Sequence, residues 1–292
     1  MRYFERSPFV PIVKRPRLNW PNGARLAVWV VPNIEAWEED SLAGGTLAGS
    51  PKNLPDIANY TWRDYGLRVG IWRQMELLQR LGIVATVALN SLVCELYPAV
   101  VEAGVELGWE FMGHGRTNSF RLSGIDEPDE RALIREILET IAAATKSPVR
   151  GWLGPGLTET YNTLDILAEF GVDYVADWVH DEQPTPLRTT SKELIAMPYS
   201  LEVNDVPAIL GHGQTGPDFE HLIKTQFDVL YRESADTAKV MCIALHPYLT
   251  GAPHRAHHLE AALTYMRGKP GVWFATGSAI HDAYRQATAV LR

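Results

Sequence analysis

Seven short apolar runs separated by helix-length segments constrain this chain more than any other feature. They are ARLAVWVVP (24–32), IVATVALN (83–90), WEFMG (109–113), VRGWLG (149–154), VDYVADW (172–178), VMCIALHPY (240–248) and VWFAT (272–276). Runs of this kind, continuous in apolar and β-branched residues, are the mark of strands buried on both faces, as in parallel sheets. Helical spacing fills the intervals. Val69, Trp72, Met75, Leu78 and Leu81 recur along 62–81 before Gly82, and helices are also expected over 92–108, 127–145, 159–170, 217–233 and 256–267 and at the C-terminus. In the less regular middle, ELIAMPYS and VPAILG read as strands. Strand–helix alternation implies parallel pairing with right-handed crossovers, hence an α/β fold, and the number of strands suits a closed barrel better than a doubly wound sheet.

Length bounds the organisation. With 292 residues the chain sits where single cores stop growing, roughly 250–300 residues. It divides into a Pro-rich extended arm, 1–24, and one barrel domain, 25–292. The arm has no place in a closed barrel, so it is expected to lie across a neighbouring subunit of a homo-oligomer. Lys and Arg total 27 against 35 Asp and Glu, a net −8, which argues against a nucleic-acid partner. No apolar run reaches the roughly 20 residues of a membrane span. Pro8, Pro11 and Pro16 interrupt the N-terminal apolar character, so a secretory signal is not expected and the compartment is read as cytoplasmic. Cys94 and Cys242 lie far apart in apolar contexts and read as buried free thiols.

In α/β folds, sites gather at the carboxyl ends of strands. The polar residues there are Asn33 and Glu35, then His114, Arg116, Thr117 and Asn118, then Asp177, His180 and Asp181, with Asn204 and Asp205 in the middle and His246 late. Each has a plainer reading. Glu35 could anchor a loop, His114 could cap a turn, His246 could be a core histidine, and Asn204-Asp205 is a common turn pair. His254, His257 and His258 read as a solvated face rather than a metal cluster. The long Gly-rich loop from Asn33 to about Tyr60 is of a length usually kept for function. Trp37, Trp62, Trp152 and Trp178 lie near strand ends, and at least two are expected to wall a pocket for a small planar ligand.

GHGRTNS (113–119), RGWLGP (150–155), YVADW and ALHPY together resemble the polysaccharide deacetylase (NodB-homology) superfamily, whose fold is a distorted (β/α) barrel. YGLRVGIWR (65–73), PYSLEVND (198–205) and LHPYLTGAPHRAHHL (245–259) are similar to its allantoinase and cyclic imide hydrolase branch. The resemblance runs in order along nearly the whole chain. It implies a hydrolase of non-peptide C–N bonds in a small amide, cyclic amide or N-acyl compound. Two alternatives stand beside it: a carbohydrate or peptidoglycan N-deacetylase of the carbohydrate esterase family 4 type, and a non-catalytic ligand-binding descendant.

Departures from the family pattern fall on the metal site. Metal-dependent members carry an Asp pair where this chain has Asn33-Ile34-Glu35. They carry two histidines four residues apart where it has His114 and Asn118, and an arginine where it has Leu153. The resemblance therefore implies catalysis by Glu35, His114 and His246. Substrate contacts fall to Asn33, Arg116, Asn118, Trp152, Trp178, Asn204 and Asp205. Any zinc would sit on Glu35, His114 and Asn118, but no tightly bound cofactor is expected, because a neutral amide is a weak zinc ligand.

Overall fold

A computed structural model describes residues 1–41 and 54–289. Its nine strands form one curled sheet: β1 Leu26–Ile34, β2 Thr86–Leu89, β3 Glu110–Gly113, β4 Gly151–Trp152, β5 Tyr174–Val175, β6 Thr185–Leu187, β7 Leu194–Ala196, β8 Lys239–Leu245 and β9 Val272–Phe274. The order is β6-β7-β5-β4-β3-β2-β1-β8, and every pairing is parallel except β6 with β7. β1 pairs with β8 from Leu26 to Pro32. Its other edge is shared, with β9 against Leu26–Val28 and β2 against Asn33 and Ile34. Between β8 and β7 the curl is narrowed by residues 203–204, where the Ala244 N–H donates to the Val203 carbonyl at 3.0 Å and Asn204 bridges Ala244. This is the distorted (β/α) barrel of the NodB type.

Strand period explains where the core sits. Leu26, Val28 and Val30 face the outer helices, whereas Ala27, Trp29 and Val31 face the interior. The interior column also takes Ala88, Met112, Leu153, Tyr174, Ile195, Met197, Val240, Cys242 and Ala244. Burial on both faces is what permits continuous apolar strands, and it leaves the polar residues to the strand ends.

Helices cover the outside. Residues 57–80 run continuously through a π-helical turn at Gly66–Gly70, and Glu127–Thr145 forms the long helix expected over those residues. Three expectations are corrected. The single helix over 92–108 is two, Ser91–Leu96 and Pro98–Glu106, because Pro98 has no N–H to donate and disfavours helical backbone at Tyr97. VPAILG is not a strand but a π-helical turn, Val206–Gly211, begun when the Asn204 side-chain oxygen accepts from the Val206 N–H at 3.0 Å. β6 was not anticipated.

The arm lies against its own chain. Arg6 pairs with Asp165 at 2.7 Å, Arg15 with Asp181 at 2.5 Å, and Trp20 Nε1 donates to the Lys239 carbonyl at 2.8 Å. No helix among the described residues is long and apolar enough to cross a membrane.

Gly113 ends β3 immediately before His114, and a Cβ there would lie 2.7 Å from the Trp152 ring. Gly113→Ala is therefore expected to cost roughly 1–3 kcal/mol, the usual penalty for overpacking a core. Chemical denaturation reads this as a lower midpoint at unchanged slope. An unchanged midpoint would show that the ring yields freely.

Candidate active site

The interior columns continue past the apolar core into the site. On β1 the series 27, 29, 31 leads to Asn33 and then Glu35; on β3 Met112 leads to His114; on β8 Ala244 leads to His246. Parallel strands bring these ends to one mouth. Glu35 Oε1 lies 3.4 Å from Nε2 of His114 and 3.4 Å from Nε2 of His246. All three side chains are buried.

The two histidines are held differently. His114 Nδ1 lies 2.6 Å from the Leu153 carbonyl, so that nitrogen carries the proton, and Nε2 is the atom turned toward Glu35. His246 Nδ1 lies 2.7 Å from Asp205. Asp205 is fully buried and also accepts from the His246 backbone N–H at 2.8 Å and the Thr250 hydroxyl at 2.6 Å. Gln74 donates to that hydroxyl at 3.0 Å.

Charge follows from this packing. Burial opposes protonation of His246, but the carboxylates of Glu35 and Asp205 outweigh it and push its pKa up to about 10. Burial would raise the Glu35 pKa; the charge and hydrogen bond of His246, with His114 beside it, prevail and hold its carboxyl well below the usual range. At neutral pH His246 is thus held protonated beside the Glu35 carboxylate.

Several candidates take other places. Asn33 Nδ2 donates to the Val31 and Leu245 carbonyls at 3.3 and 3.2 Å, and its oxygen faces the Tyr199 hydroxyl at 3.3 Å, so its amide serves the barrel rather than a ligand. Asp205 orients His246 instead of meeting substrate. Asn204 is spent on its own turn. Arg116 points outward to Glu95 and Glu136, each at 3.1 Å, because β3 has ended at Gly113 and the interior alternation no longer applies. Trp152 has the outward parity on β4 and is wholly buried under the helices. Trp178 stacks on Tyr3 of the arm at 4.9 Å and donates to Glu159. Of the four tryptophans, Trp37 reaches the site; Trp62 packs edge-on against Tyr248, whose ring is 6.0 Å from that of His246. His258 pairs with Glu220 at 2.6 Å on the outer helices.

Beside Glu35 lies a small recess lined by Trp37, Tyr60, Asp64, Leu67 and Tyr97. A larger cavity of about 450 Å³ lies under the arm, bounded by Tyr3, Phe9, His180 and Tyr284, and it contains none of the three central residues. Asp177 is buried and accepts from the Gly154 N–H at 2.7 Å. Burial raises both Asp177 and its neighbour Glu159, the latter to about 7.

Sequence reasoning missed two residues. Asn90 ends β2 and is fully buried; its oxygen accepts from the Ala36 N–H at 2.9 Å and its amide donates to the His114 carbonyl, tying the strand ends together. An Asn closing an apolar run was the available signal. Arg121 is the other.

Could a divalent metal sit here? The implied donors are Glu35, His114 and Asn118. Asn118 is a neutral amide whose Oδ1 already faces the Arg121 guanidinium at 3.4 Å, which leaves Glu35 and His114 of the implied set. Two donors remain, short of the three or four that zinc takes. Among the described residues no cluster of three or more His, Cys, Asp or Glu is arranged for a metal. The donor set does not fit the ion.

In sequence and in fold the chain is similar to polysaccharide deacetylases. The polysaccharide deacetylase family model matches residues 58–175. A Schizosaccharomyces pombe protein described as a polysaccharide deacetylase is 29% identical over 294 residues, 91% of this chain and 92% of that one. Among solved structures, the PuuE allantoinase is 28% identical with a TM-score of 0.86, covering 94% of each chain. A Pseudomonas aeruginosa PAO1 polysaccharide deacetylase also has 28% identity and a TM-score of 0.86, covering 93% of this chain and 95% of its own.

Proposed function

We propose that the chain hydrolyses a small cyclic amide or imide by metal-free acid–base chemistry, with Glu35 as base and His246 as acid. The observation that carries this reading is the position of Glu35 Oε1, 3.4 Å from both imidazole Nε2 atoms. Water held by Glu35 and His114 gives a proton to Glu35 as its oxygen attacks the carbonyl carbon. The C–N bond then breaks, and the leaving nitrogen takes the His246 proton. A carboxylate held so far below its usual range is a poor base at rest. Once His246 gives up its charge, burial is opposed only by His114 and Glu35 binds a proton more readily. Passing that proton back to His246 restores the site. The recess lined by Trp37, Tyr60 and Tyr97, about 10 Å³, has room for about one water beside Glu35.

Assay of purified protein on a panel of ureides, cyclic imides and N-acetyl sugars, with and without chelator, tests this. Turnover of a cyclic compound that survives chelation is expected. Activity lost to chelator and restored by zinc would defeat the metal-free route, and turnover confined to N-acetyl sugars would favour the deacetylase alternative. The cytoplasmic compartment and the homo-oligomer belong to the same proposal. Exposed Phe4, Phe9 and Val13 on the arm are where a second copy would pack, and a monomer by light scattering would remove that part.

The pH profile follows from the same charges. Because the His246 pKa lies near 10, kcat/KM is expected to stay level through neutral pH and fall as pH rises past about 10. Asp205→Asn removes one of the two charges that raise it, so the basic limb should move toward neutral. The stabilising effect of the ion triad is full below the unfolded histidine value of ~6.5 and is lost as pH rises through about 10. A basic limb unmoved in Asp205→Asn would show that another group carries it.

A further inference from the structure

Arg121 is half-buried beside the site, yet it makes no ion pair among the described residues. Buried Arg6 pairs with Asp165, and half-buried Arg15 and Arg150 pair with Asp181 and with Asp173 and Asp282, whereas half-buried Arg25, Arg73 and Arg255, like Arg121, have no ion pair among the described residues. Its only hydrogen bonds among the described residues run from Nη1, to the Asn118 carbonyl at 2.8 Å and the Asn118 side-chain oxygen at 3.4 Å. Among the described residues the Nε and Nη2 donors have no acceptor.

The surrounding backbone fixes this placement. The Asn118 N–H donates to the Ala36 carbonyl at 2.9 Å, and the Glu38 N–H to the Ser119 hydroxyl at 3.0 Å, so the Arg121 loop is stitched to the segment that follows Glu35. From the other side the Leu122 N–H donates to the Thr158 hydroxyl at 3.2 Å. The guanidinium lies over Gly156, where a Cβ would stand 2.8 Å from Nε and 3.0 Å from Cζ. Gly156 has φ +62°, so both the backbone and the arginine call for glycine there. Burial disfavours the guanidinium charge, and the charge that favours it is that of Glu35.

We propose that Arg121 is the anion-anchoring residue of the site, binding a carboxylate through its Nε and Nη2 fork. A guanidinium edge matches the two oxygens of a carboxylate, which a point charge such as lysine does not. For the identity of the bound group the inference rests on the hydrolase reading. Water gives one proton to Glu35 as its oxygen adds to the carbonyl, the C–N bond breaks as the nitrogen takes the His246 proton, and the product bears a carboxylic acid that ionises to a carboxylate, with an amine from a cyclic amide or an amide from an imide. That carboxylate forms next to Glu35, a like charge, and needs a cation to be held there. Arg121 supplies it.

Acetate is a sufficient probe, followed by NMR titration of the arginine Nε–H signals in the full chain. In the native protein acetate is expected to shift the Arg121 Nε–H signal. Arg121→Met should weaken acetate binding tenfold or more, Arg121→Lys should weaken it less, and Arg116→Met on the outer face should leave it unchanged. No acetate binding to the native protein, or equal binding to native and Arg121→Met, overturns the proposal. Should Arg121→Met not fold, the proposal stands or falls on the native Nε–H shift and on weaker binding by Arg121→Lys. Acetate binding lost in the variant with no panel compound turned over would sink the hydrolase reading and keep the anion site. Turnover with equal acetate inhibition in both proteins would do the reverse.

Discussion

Glu35→Gln is expected to lower kcat by about 10²–10⁴-fold, the span ordinarily supplied by a positioned general base. The amide keeps the shape of the carboxylate and can still face His114 Nε2, so calorimetric affinity for a substrate analogue should change only a few-fold. What disappears is the proton acceptor and the negative charge between the two imidazoles. His246, still beside Asp205 at 2.7 Å, should lose part of its elevation, and residual activity should fade at a lower pH than in the native enzyme. A variant that keeps kcat within about threefold would move the base assignment to His114. Loss of binding along with rate would make Glu35 an anchor rather than a base.

His246→Gln is expected to cut kcat by about 10²–10⁴-fold as well, through loss of the proton donor. Its signature lies in the pH profile. With the imidazolium gone, the burial that favours neutral Glu35 is opposed only by His114, so the Glu35 pKa should rise. The remaining rate should therefore climb with pH, where the native enzyme is level. Stability should also drop, by roughly 3–5 kcal/mol, as when one partner of a buried ion pair is removed. Asp205 would keep only the Thr250 hydroxyl and a backbone N–H. The double variant with Glu35→Gln should be little worse than either single one, since the two residues act as a unit. Multiplicative losses would contradict the shared proton path.

Much of this site was legible because strand alternation does not stop at the strand's end. Reading 27, 29, 31, 33, 35 along β1 carries the interior column from Ala27 to Glu35, and the same count reaches His114 and His246. Where that count is short it misleads. β4 pairs over Gly151 and Trp152 alone, too brief to reveal that Trp152 faces outward and Leu153 inward. Arg116 and Arg121 are five residues apart in one loop, and only the hydrogen bonds of Asn118 with Ala36 and Arg121 tell which of them reaches the site. Asp205 looked like a turn residue because its partners, His246 and Thr250, are more than forty residues away. VPAILG failed as a strand because a short apolar run has no period of its own to read.

The shared edge of β1 sets when the chain can fold. Leu26–Val28 need β9 and Leu26–Pro32 need β8, so this strand stays without most of its partners until more than two hundred further residues are made. Pairings of such long sequence separation carry a large loop-closure cost before they return any contact energy. On the ribosome, the apolar residues 26–31 would wait exposed while more than two hundred others are added. A fragment confined to the 58–175 match lacks β1, β8 and β9, so it should remain an open, association-prone sheet. In this chain the first strand to be synthesised is among the last to be secured, and chaperone dependence during synthesis is the expected cost.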